Sequence, residues 1–270
     1  MFEHSTRIPD IRKIDKKYRL NYIDKYLSYK IDPDKPYILV LGDSQFYGYH
    51  QSEKDIFSNY LAQNTNKSKL LNLSFNDARP LDVIQELKLI RSHNIKVTAI
   101  LYGLNLGHFG EGNGTNIRRL PDEKANTLLP LYATKVTIDY WREKLFPTQF
   151  SQQFTEKALP NSLAETPKIL DPRFPLLLQS IKKTSPKALI ISEPRSEIDI
   201  LQQARNRKTK ELWTDLYANE SKKYGLNFID ASAWMENSCF IENTHLNKKG
   251  HKVFSQKLRK ELQKLWPDYF

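Results

Sequence analysis

Five short apolar runs lie along the chain, and each has the near-continuous hydrophobicity of a strand that is buried on both faces. They cover residues 37–41, 70–74, 97–102, 188–192 and 227–230. Helical spacing of apolar residues follows or precedes them in residues 56–62, 80–92, 173–183, 197–224 and 248–265. This alternation predicts an α/β fold, a doubly wound, five-stranded parallel sheet.

The connection after the third predicted strand is too long for an ordinary loop. Residues 107–172 are therefore expected to form an insertion with at least one helix, near residues 132–144. The insertion has aromatic residues of its own, which predict that it packs as a subdomain or cap. These aromatic residues are interpreted as the core of the insertion and not as a platform that binds sugar.

The amino-terminal residues 1–36 are predicted to be a segment apart from the main domain, residues 37–270. Spaced apolar residues over 11–31 predict an amphipathic helix that packs against that domain. Residues 1–10 have no apolar signal region, which leaves two explanations. The protein is cytoplasmic, or it is a soluble, periplasmic or extracytoplasmic portion whose leader or anchor lies outside this sequence.

Composition narrows the class of protein. Of 270 residues, 39% are hydrophobic and 27% are charged, so a sizeable core is expected. Nothing approaches the roughly 20-residue apolar run of a membrane-spanning helix. The single cysteine, Cys239, excludes an internal disulfide and a cysteine-rich zinc site. The net charge of +11 favours anionic partners such as acidic glycans, lipid headgroups or nucleic acid, without choosing among them.

Polar motifs follow the predicted strands. Gly42-Asp43-Ser44 follows the first, Asp77 comes shortly after the second, and Gly103-Leu104-Asn105 follows the third. Glu242-Asn243-Thr244-His245 lies between the fifth strand and the last helix. Ligands of such folds bind beyond the carboxyl ends of the strands, so these motifs are expected to form one site.

These motifs, in this order, resemble those of the SGNH (GDSL-like) hydrolase family. Gly42-Asp43-Ser44 resembles its first block, Gly103-x-Asn105 its GxND block, and Glu242-x-x-His245 its DxxH block. The resemblance implies a flavodoxin-like SGNH fold in which Ser44 is the nucleophile and His245 the general base. It also implies an oxyanion hole formed by the Ser44 N–H, a donor near Asp77 and the Asn105 amide.

The sequence departs from the family pattern at three positions. Glu242 stands where the family has the aspartate that orients the histidine, with Asp230 as an alternative for that role. Asp77 replaces a glycine, so that Asn76 could donate to the oxyanion instead. Leu106 replaces an aspartate that is not expected to do chemistry.

Each candidate also has a structural interpretation. Ser44 suits a helix N-cap, Asn105 a turn and His245 a surface loop. His251, at the start of the last helix, is predicted to be structural. The remaining histidines, His4, His50, His93 and His108, are interpreted as surface or packing residues, with His50 and His108 near the rim of the cleft.

The resemblance implies an O-acyl esterase or O-acyltransferase, and three features favour acetyl groups on a glycan. The motifs lack a neighbouring apolar stripe for a fatty chain, the charge suits acidic polysaccharides, and the polar helix before Gly42 is similar to domains that work with a membrane acyltransferase. That similarity points to the branch linked to bacterial cell-surface polysaccharide O-acetylation. The alternative is an inactive component of this fold that binds glycan or assembles with such a partner.

Two further classes of ligand are not expected. No nucleic-acid-binding module accompanies the basic charge, and the basic stretches are interpreted as solvated helix faces. No cofactor is implied, and no metal is expected because the histidines and carboxylates lack a ligand spacing such as HExxH.

Overall fold

The computed structural model describes residues 5–8, 18–65, 67–105, 170–197, 199, 207–242 and 244–270. The predicted insertion over residues 107–172, with its helix near residues 132–144, lies outside the described residues except for 170–172. Residues 9–17 of the amino-terminal segment also lie outside the described residues.

Six parallel strands form the sheet in the described part of the chain, in the order β1-β3-β2-β4-β5-β6. They are β1 (Ser5–Arg7), β2 (Tyr37–Leu41), β3 (Lys69–Asn72), β4 (Val97–Leu104), β5 (Ala188–Ser192) and β6 (Asn227–Asp230). The predicted five-stranded parallel α/β sheet is confirmed. The edge strand β1 is an addition, since three residues without an apolar run give no strand signal.

Helices cover both faces of this sheet. They are α1 (Arg19–Lys30), α2 (Ser44–Tyr47), α3 (Phe57–Ala62), α4 (Pro80–Ser92), α5 (Arg173–Thr184), α6 (Arg207–Lys223) and α7 (Lys248–Leu265). Strand β2 shows the two-residue alternation directly, because Leu39 packs with α1, α4, α5 and α6 while Ile38 packs with α3 and α7. Burial on both sides explains the continuous apolar runs. None of the helices in the described ranges has the length and apolar character needed to cross a bilayer.

His251 is a buried structural residue, as the sequence predicts. Its Nδ1 atom accepts a hydrogen bond from the Phe57 N–H at 3.3 Å, which joins α7 to α3. Burial, followed by the positive charges of Arg7 and His245, lowers the pKa of His251 to about 3. The imidazole is therefore neutral at physiological pH and serves as an acceptor in the core.

Candidate active site

Ser44 lies at the point where the chain reverses its direction across the sheet. The chain leaves the central strand β2 for β3 on one side and then reaches β4 on the other. Ser44 begins α2 three residues beyond the carboxyl end of β2. This is the crevice where open α/β sheets bind their ligands.

Two glycines allow the helix that carries Ser44 to pack tightly on the sheet. A Cβ atom on Gly42 would lie 2.9 Å from the Phe46 Cβ, and one on Gly103 would lie 2.4 Å from the Phe46 ring. Phe46 is buried between them, so any larger residue would push α2 away from β4. The glycines of the two motifs are thus explained by close approach of backbone and ring.

The structure brings the hydroxyl of Ser44 and the imidazole of His245 together. Nε2 of His245 lies 2.9 Å from Oγ of Ser44, although 201 positions separate the two residues along the chain. His245 opens β8 (His245–Leu246), which pairs with β7 (Phe240–Ile241) in a short antiparallel hairpin. A serine hydroxyl within hydrogen-bond reach of a histidine is the arrangement that activates a nucleophile.

Gln45 fastens the His245 hairpin to α2. Its Nε2 atom donates to the carbonyl of Thr244 at 2.5 Å and to that of Pro194 at 2.8 Å. Its Oε1 atom accepts the Leu246 N–H at 3.0 Å. The backbone is thus held on both sides of His245 by the residue that follows Ser44. The buried Gln45 side chain therefore fixes the distance between nucleophile and base.

Gln45→Met, which keeps the length of the side chain but removes its hydrogen bonds, is expected to lower kcat about ten- to a hundred-fold with little change in KM. The physical reason is displacement of His245 from Ser44, since a shift of about 1 Å costs rates of this order. Ester hydrolysis and thermal unfolding are measured together, with the exposed Gln63→Met as the matched control. An unchanged kcat in a folded Gln45→Met protein would remove the positioning role.

Asn105 is held against the serine turn by Asp43. The Asn105 Nδ2 atom donates to Oδ2 of Asp43 at 2.6 Å, and Oδ1 of Asp43 accepts the Gln45 N–H at 2.9 Å. Asp43 therefore caps α2 and orients the Asn105 amide at once. This places Asn105 beside Ser44, where the predicted oxyanion donor belongs.

Asp43 belongs to a network of buried charged residues. Burial and then the neighbouring Asp43 charge raise the pKa of Glu193 well above its usual range. Asp43 and Glu193 are both buried, and this surrounding favours the neutral form of Glu193. Arg195 donates to Glu193 at 3.3 Å and to Asp199 at 3.0 Å, which balances the remaining negative charge.

Glu242 lies in the site, whereas Asp230 is engaged elsewhere. A carboxylate oxygen of Glu242 lies within 4.8 Å of a ring nitrogen of His245, but no hydrogen bond reaches that carboxylate from a described residue. Asp230 accepts hydrogen bonds from Lys210 and from the Ser232 N–H. Burial opposes the Asp230 charge, but these bonds lower the pKa of its carboxyl. Of the two carboxylates, that of Glu242 is the nearer candidate, and its role in orienting His245 stays a prediction.

Asp77 adopts the backbone conformation that explains the glycine expected there. Its φ of 63° lies in the left-handed region, which glycine enters freely and aspartate tolerates. The side chain is 53% exposed and pairs with Arg79 at 3.8 Å. Its charge is therefore partly neutralised and solvated. The neighbouring Asn76 is buried.

The supporting residues Gln45, Glu193 and Arg195 were not predicted from the sequence. Glu193 and Arg195 directly follow strand β5, and their position at a strand's carboxyl end was a usable signal. Gln45 offers no such signal, because its partners are 149 and 199 positions away.

Several solved structures share this architecture. A protein named TesA is similar with 8% identity and a TM-score of 0.51, over 85% of this chain and 99% of that chain. A lipolytic G-D-S-L family member from Veillonella parvula DSM 2008 has 11% identity, a TM-score of 0.47 and coverages of 83% and 97%. Est24, a carbohydrate acetylesterase from Sinorhizobium meliloti, has 12% identity, a TM-score of 0.45 and coverages of 86% and 100%.

At these identities the likeness is one of fold, and the predicted SGNH-like fold is confirmed. No protein-family model and no curated protein matches the sequence.

Proposed function

We propose that this protein is a serine-dependent O-acyl ester hydrolase or acyltransferase that works on a carbohydrate through an acyl-enzyme on Ser44. The observation that carries the proposal is the 2.9 Å contact between Oγ of Ser44 and Nε2 of His245. It lies at the edge of the sheet where this fold class places its ligands.

The reaction follows from the two side chains. Oγ of Ser44 attacks the ester carbonyl carbon while Nε2 of His245 takes the hydroxyl proton. When the tetrahedral intermediate collapses, the bond to the leaving alkoxide breaks and His245 returns the proton to it. Water, or an acceptor hydroxyl in a transferase, then gives its proton to His245 and attacks the acyl carbon. When this second tetrahedral intermediate collapses, the bond from the acyl carbon to Oγ of Ser44 breaks and His245 returns the proton to Oγ, which restores both side chains.

Three groups are proposed as oxyanion donors. The Ser44 N–H is the first of α2 and has no intrahelical acceptor. The Asn105 amide is oriented by Asp43, and the backbone near Asp77 is the third candidate. Loss of one such donor typically removes about 2.7–4 kcal/mol of transition-state stabilisation.

Charge beside the site supports an anionic glycan as substrate or acceptor. Lys248 and Lys249 follow His245 closely on the first turn of α7, and both side chains are more than half exposed. Lys248 pairs with Asp55 at 3.0 Å and Lys249 with Glu236 at 3.9 Å, so an anionic substrate would share them with these carboxylates. Positive charge at the amino end of a helix opposes the helix dipole, so these lysines do not favour the helix itself. A role in attracting anions agrees with the net charge of +11.

A fluorophosphonate probe tests the nucleophile without knowledge of the substrate. We expect covalent labelling at Ser44, because only a serine activated by a base reacts readily with such a probe. Acetate release from acetylated pectin, acetylated xylan and chitin oligomers then tests the substrate class. The acidic pectin is expected to be the best of the three at low salt, and this preference is expected to shrink as salt screens the lysines.

Two outcomes would contradict the proposal at different levels. Absence of labelling would favour the alternative, an inactive component that binds glycan or assembles with a membrane acyltransferase. Labelling at Ser44 with hydrolysis of aryl esters but none of the glycans would keep the esterase and remove the carbohydrate substrate.

A further inference from the structure

Three side chains from two distant parts of the sequence meet near Ser44. One donor atom each from His50, Glu242 and His245 lie within 4.8 Å of one another. His50 comes shortly after the end of α2, whereas Glu242 and His245 belong to the β7–β8 hairpin. A motif such as HExxH would not reveal this group. Its ligands come from a loop after α2 and from a hairpin, and not from one helix.

We propose that His50, Glu242 and His245 bind a zinc-type divalent cation that switches the enzyme off. The binding part of this inference stands on the geometry alone, and the inhibitory part rests on the proposed serine hydrolase function. The metal is a reversible inhibitor in this proposal and takes no part in ester cleavage.

The distances suit a metal after a small adjustment of exposed side chains. Zinc binds imidazole nitrogen at about 2.0–2.1 Å and carboxylate oxygen at about 2.0–2.2 Å, so in its tetrahedral geometry two of its ligand atoms lie about 3.3–3.5 Å apart. His50 and Glu242 are exposed, and a change of side-chain rotamer can bring their donor atoms inward from the 4.8 Å limit. His245 is half-buried and provides the fixed point.

Two of these ligands belong to residues whose backbone is in the left-handed conformation. His50 has a φ of 65° and Glu242 a φ of 53°, both in the left-handed region. Histidine enters this region more often than most side chains, whereas glutamate does so at a cost, and residues held there concentrate at functional sites. Both loops therefore hold a conformation that points to a role beyond turn formation.

The donor set selects the class of cation. Two imidazoles and one carboxylate suit zinc and other borderline transition-metal ions, and zinc sites of this His₂Glu composition leave a position for water. Magnesium and calcium prefer oxygen ligands alone. We therefore expect zinc to bind and magnesium to have no effect.

Metal at His245 is incompatible with its role as a base. A cation on Nε2 occupies the atom that has to accept the Ser44 proton. A cation on Nδ1 leaves the neutral ring with its proton on Nε2, which then cannot accept another. Zinc and activated serine are thus mutually exclusive whichever nitrogen is used.

Calorimetric titration of the full chain with zinc chloride tests the binding. We expect one site in the wild type and at least a ten-fold higher Kd in His50→Gln and in Glu242→Gln. His93→Gln is the matched control, because His93 forms the other histidine–carboxylate contact, with Asp24, and should bind zinc as the wild type does. Equal Kd values in all four proteins, or no binding by the wild type, would overturn the proposed site.

Hydrolysis of p-nitrophenyl acetate tests the inhibition. Zinc is expected to suppress wild-type turnover by at least ten-fold at saturation, while magnesium leaves it unchanged. His50→Gln is expected to keep the metal-free rate and to need at least ten-fold more zinc for the same suppression. Zinc bound at this site without loss of turnover would refute the switch. A wild type that hydrolyses no ester would refute the proposed function and leave the calorimetric result to decide the metal site.

Discussion

Ser44→Ala is expected to lower kcat for p-nitrophenyl acetate by about a thousand-fold or more without loss of the fold. The variant removes the atom that is proposed to form the acyl-enzyme, and loss of one member of such a catalytic unit removes most of the rate. Ser44 is half-buried and its hydroxyl contacts His245, so one hydrogen bond is lost and no apolar group is removed. Removal of one hydrogen bond of this kind costs only about 0.5–1.5 kcal/mol of stability.

The matched control for this experiment is Ser28→Ala. Ser28 is exposed on α1, and its hydroxyl donates to the Asp24 carbonyl within the same helix. Both variants lose a single serine hydroxyl, but only Ser44→Ala should lose turnover and fluorophosphonate labelling. Full activity in a folded Ser44→Ala protein would mean that the acyl group is carried elsewhere or not at all.

The sheet could be predicted from the sequence because strands buried on both faces leave a strong local signal. The runs at β2, β5 and β6 match the predicted bounds, and the helix α4 begins at Pro80 as expected. Strand β1 could not be predicted, because its pairing with β3 is long-range and three residues carry too little pattern. The predictions for residues 107–169 remain predictions.

The residues of the candidate site also include some that short motifs predict and some that they do not. Ser44, Asn105 and His245 lie in short motifs, and the fold brings all three to one edge. Asp77 departs from its motif, yet its left-handed backbone preserves what the glycine provides there. Gln45 and His50 act through contacts that depend on the hairpin at residues 240–246, whose position no local pattern encodes.

The arrangement beneath the site shows how a short helix can hold a reactive serine. Asp43 carries a charge in a buried position, which would be costly alone. Its two oxygens accept hydrogen bonds from the Gln45 N–H and from Asn105, while burial raises the pKa of the neighbouring Glu193 and so favours the neutral form of that acid. The serine turn is thus preorganised by residues that do not touch the substrate, as precise catalytic geometry requires.

His245→Ala is the second substitution expected to have a very large effect, again about a thousand-fold or more in kcat. Without the imidazole, the Ser44 proton has no acceptor at 2.9 Å, and the hydroxyl remains a weak nucleophile. The acid-side rise of kcat/KM with pH reports deprotonation of the essential base and should disappear in this variant. A His93→Ala protein, which loses an imidazole that directly follows α4 and pairs with Asp24 of α1, is expected to keep both rate and pH profile.

The double variant distinguishes a catalytic pair from two separate contributions. If Ser44 and His245 act as one unit, removal of both lowers kcat no further than removal of either, because the same acyl-enzyme pathway is already lost. Independent roles would instead multiply the two losses. Additive free-energy changes across the four proteins, or a pH profile that survives His245→Ala, would show that another group takes the serine proton. Glu242 would then be the first residue to test, since its carboxylate lies within 4.8 Å of the His245 ring nitrogen.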